Sequence, residues 1–245
     1  MHTTCHRSIL IDFLRGVAII CMVVYHFCYD LFLFGWIEIH LQQDVFWVGF
    51  RWFIVSLFLL LVGISLQLAH RKNLNQKHFY QRLLWLLLCA GLVSVGSYFL
   101  FSDRFIYFGI LQFILVASLI AVWFRGYYYT NLFIGIGSLL LGNLFHRSIF
   151  NTYAFNWLGF VTEQPATEDY VPLFPWLGVV FIGLFIGKWL QQQPNILNVL
   201  KPATWHNPVC FLGRHSLWVY MLHQPILLGL LTVILFFTTT SPSAI

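Results

Sequence analysis

At 245 residues, with 60% hydrophobic side chains, 9% charged ones and a mean hydropathy of +0.80, the chain is too apolar for a soluble domain, in which about a quarter of residues are charged. It reads as an all-α polytopic membrane protein, and its formal net charge of +5 reports orientation in a bilayer rather than nucleic-acid binding. The five cysteines, Cys5, Cys21, Cys28, Cys89 and Cys210, are odd in number and contain no C-x-x-C pair, which argues against a disulfide framework and a zinc site; no metal is expected.

Apolar runs long enough to cross a hydrocarbon core of about 30 Å recur seven times, over residues 9–30, 45–69, 83–101, 105–124, 131–146, 173–190 and 212–237. The first run begins close to the N-terminus without the short apolar core and A-x-A-like site of a cleaved leader, so it reads as a retained signal-anchor. It also carries Asp12, Arg15, His26 and Asp30. At about 100° per residue, with Asp12 at zero, Arg15 falls near about −60°, His26 near about −40° and Asp30 near about 0°, so all four share one face. A charge at the centre of a spanning helix costs roughly 2.5 to 3.5 kcal/mol, so the shared face implies a polar interior lined by protein. Cys21 and Cys28 fall opposite this stripe and read as packing residues.

The fifth run is short and rich in glycine (Gly135, Gly137, Gly142), which leaves a broken or re-entrant segment open. The sixth opens at Pro172 and Pro175, tolerated at a helix start, and its Gly183 and Gly187 make a G-x-x-x-G pair suited to close helix packing. In the last run Ser216, Tyr220 and His223 lie within about 60° of one another and form a second polar stripe suited to face the first. Ser216 and Gln224 read as interhelical glue. No linker or soluble insertion interrupts the series, so the expectation is a single bundle of about seven transmembrane helices forming one domain, residues 1–245.

Loop charges alternate. Arg7, then Arg71, Lys72, Lys77 and Arg82, then Arg125, then Lys188, Lys201 and Arg214 fall on one side; Glu38, Asp44, Asp103, Glu163, Glu168 and Asp169 fall on the other, with Arg51, Arg104 and Arg147 as exceptions. The positive-inside rule makes the basic side cytoplasmic, with the N-terminus inside and the C-terminus outside.

His26 lies three turns beyond Arg15 and one turn before Asp30 on the polar face. A neutral imidazole is a natural general base near pH 7, and Asp30 at i+4 is placed to hold its tautomer or stabilise imidazolium. A hydrogen-bonded structural histidine is the plainer reading of such a residue; its alignment with three ionisable groups favours chemistry. Asp12 and Arg15 at i and i+3 suit an ion pair, and Arg15 near the cytoplasmic side equally suits a phosphate-bearing donor.

The opening motif, Arg7-Ser8-Ile9-Leu10-Ile11-Asp12-Phe13-Leu14-Arg15-Gly16 and on to Tyr25-His26, resembles that of the bacterial relatives of heparan-alpha-glucosaminide N-acetyltransferase. Three more blocks match in order: Phe108 to Phe113 (FGILQF), Asp169 to Trp176 (DYVPLFPW) and Gly213 to Pro225. Arg15 and His26 also keep the R-x10-H spacing of the broader transmembrane acyltransferase superfamily, which includes the acyltransferase-3 proteins. Gln112 departs from the family pattern, since many relatives place a histidine in that segment.

The resemblance implies transfer of an acyl group, usually acetyl, from cytoplasmic acetyl-CoA or another acyl-CoA to a glycan or lipid-linked sugar outside, in a bacterial cytoplasmic (inner) membrane. His26 is the catalytic residue on this reading, with Asp30 and His223 beside it. Arg15, Arg214 and His215 receive the phosphorylated end of the donor. Asp30, Asp169, Tyr170 and Trp176 on the outer side meet the acceptor. Membrane lipids surround the bundle, and a homo-oligomer is compatible with it. Two alternatives stay open: a proton-coupled transporter or flippase, for which buried His, Asp and Arg are equally suitable material, and a non-catalytic membrane subunit.

Overall fold

A computed structural model describes residues 8–41, 43–69, 76–100, 102–197, 199 and 207–239. Cys5, Arg7, Arg71, Lys72 and Lys201 lie outside the described residues. The regular structure among the described residues is helical, with no strand. In chain order the helices are α1 (Ile9–Leu33), α2 (Val45–Leu68), α3 (Gln76–Leu100), α4 (Ile110–Ala121), α5 (Tyr129–Leu144), α6 (Leu173–Gln192), α7 (Pro194–Leu197), α8 (Asn207–Arg214) and α9 (Ser216–Thr239).

Among the described residues five helices, α1, α2, α3, α6 and α9, are long and apolar enough to cross a membrane. α4 and α5 are shorter. At 1.5 Å per residue the 16 residues of α5 extend only about 24 Å, although the helix is continuous through its glycines. The fourth apolar run, expected to be helical from residue 105, starts its helix at Ile110, because residues 105–109 run as irregular chain alongside the segment before α6. The last run, expected to be one helix over 212–237, is two: α8 ends at Arg214 and α9 starts at Ser216.

The helix ends follow from local chemistry. α1 runs three residues past its expected end and stops at Gly35, whose φ of 72° lies in the left-handed region that glycine enters without a Cβ penalty. The N–H of Gly35 bonds the carbonyl of Phe32 at 2.9 Å and that of Trp36 bonds Leu31 at 3.0 Å, the paired closure of a Schellman end. α6 starts where the prolines predict, with Pro172 as its N-cap, although Phe174 leaves helical geometry within the first turn.

The chain divides into two compact units: residues 1–57 with 198–245, and residues 58–197. α2 contributes residues to both. In the first unit α1 packs on α8 and α9, with Ala18, Ile19, Cys210 and Leu231 buried. In the second, α6 is central, and Val180, Phe181 and Leu184 are buried with Phe113 of α4 and Leu59 and Leu61 of α2. Close approach there depends on the α6 glycines: a Cβ on Gly183 would stand 2.4 Å from the carbonyl oxygen of Leu60, and one on Gly187 2.8 Å from Gln67 Cβ. Beyond the cores, α3 leaves Leu84, Trp85, Leu87, Leu88 and Leu92 exposed, an apolar surface that water does not tolerate at this extent and a bilayer does.

Candidate active site

Two glycines decide how near α8 comes to α1. A Cβ on Gly213 would stand 1.8 Å from the Asp12 carbonyl oxygen, and one on Gly16 2.0 Å from that of Val209, so only hydrogen fits at either place. This contact delivers the end of α8 to the first turns of α1. Arg214 Nε donates to Asp12 Oδ2 at 3.2 Å, Arg15 Nη1 lies 3.6 Å from Asp12 Oδ1, and Arg15 Nη1 also donates to the Gly213 carbonyl at 3.5 Å. Asp12 is buried, with Arg15 21% and Arg214 50% exposed. One buried carboxylate thus holds two guanidiniums, and the cluster carries a net positive charge toward its open side. His215 sits exposed in the break between α8 and α9; its Nδ1 bonds the Phe211 carbonyl at 2.9 Å and its ring lies 4.3 Å from that of Phe211.

At the other end of α1 the polar face meets α9. The rings of His26 and His223 pack edge-on with centroids 4.9 Å apart. His223 is buried. A carbonyl can only accept, so the 2.6 Å contact between His223 Nδ1 and the Tyr220 carbonyl places a proton on Nδ1 and makes Nε2 the acceptor of the neutral ring. One turn along, Gln224 Nε2 donates to Asp30 Oδ1 at 2.6 Å. Asp30 therefore takes its hydrogen bond from α9, where the sequence suggested His26 four residues earlier. The i+4 spacing allows either partner, and α9 brings an amide to the carboxylate. Beside His26, Tyr25 packs edge-on at 5.8 Å and against Trp47 at 6.1 Å, which gives the histidine an aromatic wall.

The remaining candidates belong to the second unit. Asp169 Oδ2 accepts the N–H of Ile110 at 2.9 Å, and Gln112 Oε1 accepts that of Gly109 at 3.1 Å, so two side chains satisfy donors at the start of α4. The Gln112 amide also donates to the Ala90 carbonyl at 3.2 Å and to Ser94 Oγ at 2.8 Å. The position where many relatives place a histidine is here an amide that ties α4 to α3. Tyr170 donates to the Asn156 carbonyl at 2.6 Å, and burial, with Tyr107 adding to it, pushes its hydroxyl above the usual tyrosine range and keeps it a neutral donor. Trp176 is half-buried in the first turn of α6. Two of the basic exceptions to the loop-charge pattern have local partners: Arg104 pairs with Glu168 at 3.8 Å, and Arg147 lies 5.7 Å from the ring centre of Phe145.

The structure brings Asp12, Arg15, Arg214, His26, Asp30, His223 and Gln224 onto facing surfaces of α1, α8 and α9. Gln224 acts as the interhelical glue the sequence suggested, tying α9 to Asp30 of α1, although the sequence did not identify its partner. The α8–α9 break was missed because Arg214-His215-Ser216 contains no Gly or Pro.

Among the described residues no cluster of three or more His, Cys, Asp or Glu is arranged to hold a metal. No curated protein and no solved structure matches the chain. A family model does, that of the heparan-alpha-glucosaminide N-acetyltransferase catalytic domain, over residues 7–225. The four motif blocks fall inside that match and meet in pairs, the first with the last along α1, α8 and α9, the second with the third at the Asp169 cap of α4. With most of its length matched and those blocks in mutual contact, the chain belongs to the heparan-alpha-glucosaminide N-acetyltransferase catalytic-domain family.

Proposed function

We propose that the protein is a membrane-embedded acyltransferase that moves an acyl group, acetyl first among them, from cytoplasmic acyl-CoA to a hydroxyl or amine of a glycan or lipid-linked sugar on the outer side. In this reading residues 1–245 act as one domain with seven crossings, the N-terminus inside and the C-terminus outside, in a bacterial inner membrane, within the transmembrane acyltransferase superfamily. The observation that carries it is the apposition of His26 of α1 with His223 of α9, on the same helix α1 whose Asp12 and Arg15 meet Arg214 of α8. His26 stands eleven positions beyond Arg15, about 16 Å along the helix axis. That is a span for a donor whose thioester sits at the end of a long flexible arm, with its phosphates at Arg15, Arg214 and His215.

His26 acts as general base. It takes the proton of the acceptor O–H or N–H as the oxygen or nitrogen attacks the thioester carbonyl. The tetrahedral intermediate collapses, the C–S bond breaks, and the imidazolium returns its proton to the departing thiolate of CoA. His223, its Nδ1 proton held by the Tyr220 carbonyl, supports the charged state of its neighbour through Nε2. A transient acyl-imidazole on His26 is the covalent variant, which suits donor and acceptor arriving from opposite sides. Asp169, Tyr170 and Trp176 serve the acceptor side in this scheme.

Purified protein in proteoliposomes with acetyl-CoA tests it. His26→Gln should lose about 10²- to 10⁴-fold in transfer, while acetyl-CoA affinity and thermal stability stay near the parent. A loss of a few-fold only would remove His26 from the chemistry, and solute uptake without CoA release would replace the enzyme with a transporter.

A further inference from the structure

Of the three arginines that depart from the loop-charge pattern, Arg104 and Arg147 have local partners, whereas Arg51 makes no hydrogen bond or ion pair among the described residues. It is half-buried, the seventh residue of α2 and about 9 Å along the axis from Val45. Its charge acts on Tyr25 of α1, whose ring lies 6.1 Å from that of Trp47 and 6.3 Å from that of Phe50. Trp47 stands one turn before Arg51. Asp44 stands two turns before it, exposed, with its carbonyl accepting the Val48 N–H at 3.0 Å to open the helix and its carboxylate without a partner among the described residues. At about 100° per residue Asp44, Trp47 and Arg51 fall within about 60° of one another. One face of α2 therefore presents, from the helix start inward, a carboxylate, an indole and a guanidinium. Cα–Cβ bonds tilt toward a helix N-terminus, so the arginine side chain is directed back toward the other two. Around them Val45, Phe46, Trp52 and Phe53 are exposed, the aromatic belt of a helix end at a membrane interface.

We infer that this face binds the head group of a zwitterionic aminophospholipid, with the lipid phosphate on Arg51 and the lipid ammonium on Asp44 beside Trp47. A guanidinium in a spanning helix needs an anion, and a phosphodiester supplies two oxygens to its planar fork. The carboxylate at the rim then selects among lipids. A phosphoglycerol head group puts its phosphate on Arg51 and leaves Asp44 beside an uncompensated negative charge. Phosphocholine brings a cation without an N–H, so Asp44 gains no hydrogen bond. Phosphoethanolamine matches both charges and donates N–H to the carboxylate, and the Trp47 indole attracts its ammonium. Asp44 and Arg51 are about 10 Å apart along the axis, and the reach of the arginine toward the interface shortens that gap to the scale of one head group. A lipid held there braces the Tyr25–Trp47 contact that walls His26. The inference depends neither on the acyltransferase reading nor on which side of the membrane this end of α2 lies.

The test titrates the full chain in detergent micelles with palmitoyl-oleoyl lipids carrying phosphoethanolamine, phosphocholine or phosphoglycerol head groups, and counts bound lipid by native mass spectrometry. The expected result is a preference of about ten-fold for phosphoethanolamine over the other two, the scale of one charge-assisted hydrogen bond. Arg51→Gln should weaken all three lipids, phosphoethanolamine by about ten-fold or more. Asp44→Asn should weaken the phosphoethanolamine lipid and leave phosphocholine binding at its parental value, which removes the preference between them. Asp44 is exposed, so this variant keeps the test decisive if Arg51→Gln does not fold. Arg147→Gln, at the guanidinium beside Phe145, is the control and should change nothing. Equal binding of the three lipids by the parent, tighter binding of the phosphoglycerol lipid, or parental phosphoethanolamine binding in either Arg51→Gln or Asp44→Asn overturns the site.

Discussion

Gly213→Ala is the change that most directly probes how the arginine cluster is assembled. The added Cβ would begin 1.8 Å from the Asp12 carbonyl oxygen, and contacts under 3.0 Å essentially never occur, so α8 must retreat from α1 by at least about 1.2 Å at this point. The obstacle is the backbone of Asp12, the fourth residue of α1, and cannot rotate away. A shift of that size carries the 3.2 Å contact between Arg214 and Asp12 beyond 4 Å and opens the Gly213 carbonyl to Arg15 bond, already long at 3.5 Å. Overpacking of this kind costs about 1–3 kcal/mol. Half-exposed Arg214 adds at most about 1 kcal/mol, because solvent screens it. The total, about 1–4 kcal/mol, corresponds to a fall in Tm of roughly 2–16 °C for a chain of this size. Thermal unfolding in detergent micelles, followed by tryptophan fluorescence, reads it. The control is Gly229→Ala in α9, where nothing lies within 4 Å of the new Cβ and the helix gains propensity. Equal Tm values for the two variants would refute the close-contact account, and with it the claim that these glycines place Arg214.

Arg15→Lys keeps a positive charge and loses the planar fork, so acyl-CoA binding should weaken while the protein still inserts; unchanged CoA affinity in both Arg15→Lys and Arg15→Gln would leave Arg15 with a structural role beside Asp12 and Gly213. Gln112→Leu leaves the Gly109 N–H, the Ala90 carbonyl and Ser94 Oγ without their shared partner, a loss of about 1–3 kcal/mol in the same thermal assay, and a Tm equal to the parent would show that water replaces the amide. A reporter active only in the cytoplasm should be active when inserted between Asn73 and Gln76 and silent when fused after Ile245; the opposite pattern would exchange the donor and acceptor sides.

The helical wheel made the polar face of α1 legible, because a 3.6-residue period is local information and Asp12, Arg15, His26 and Asp30 all lie within five turns or so of one helix. What faces that stripe was legible in part: the second stripe in the last run supplies His223, whose ring meets His26, but the partners of the carboxylates were not. Arg214 and Gln224 sit about two hundred residues away in sequence, and nothing in periodicity distinguishes an amide that packs from one that bonds a buried carboxylate. Asp169 shows the same limit from another direction: an acidic residue before a proline-rich helix start reads as exposed and ready for a ligand, whereas one of its oxygens caps a different helix 59 residues earlier. The glycines give the most useful lesson. Gly183 and Gly187 could be recognised from G-x-x-x-G spacing because both lie on one helix, but Gly16 and Gly213 make the closer contact and share no motif spacing at all. Their complementarity exists only once α8 lies on α1. The same contact that excludes a methyl group also holds two arginines around one carboxylate, and α1 fixes the separation between its members of that cluster, Asp12 and Arg15, and its member of the histidine pair, His26.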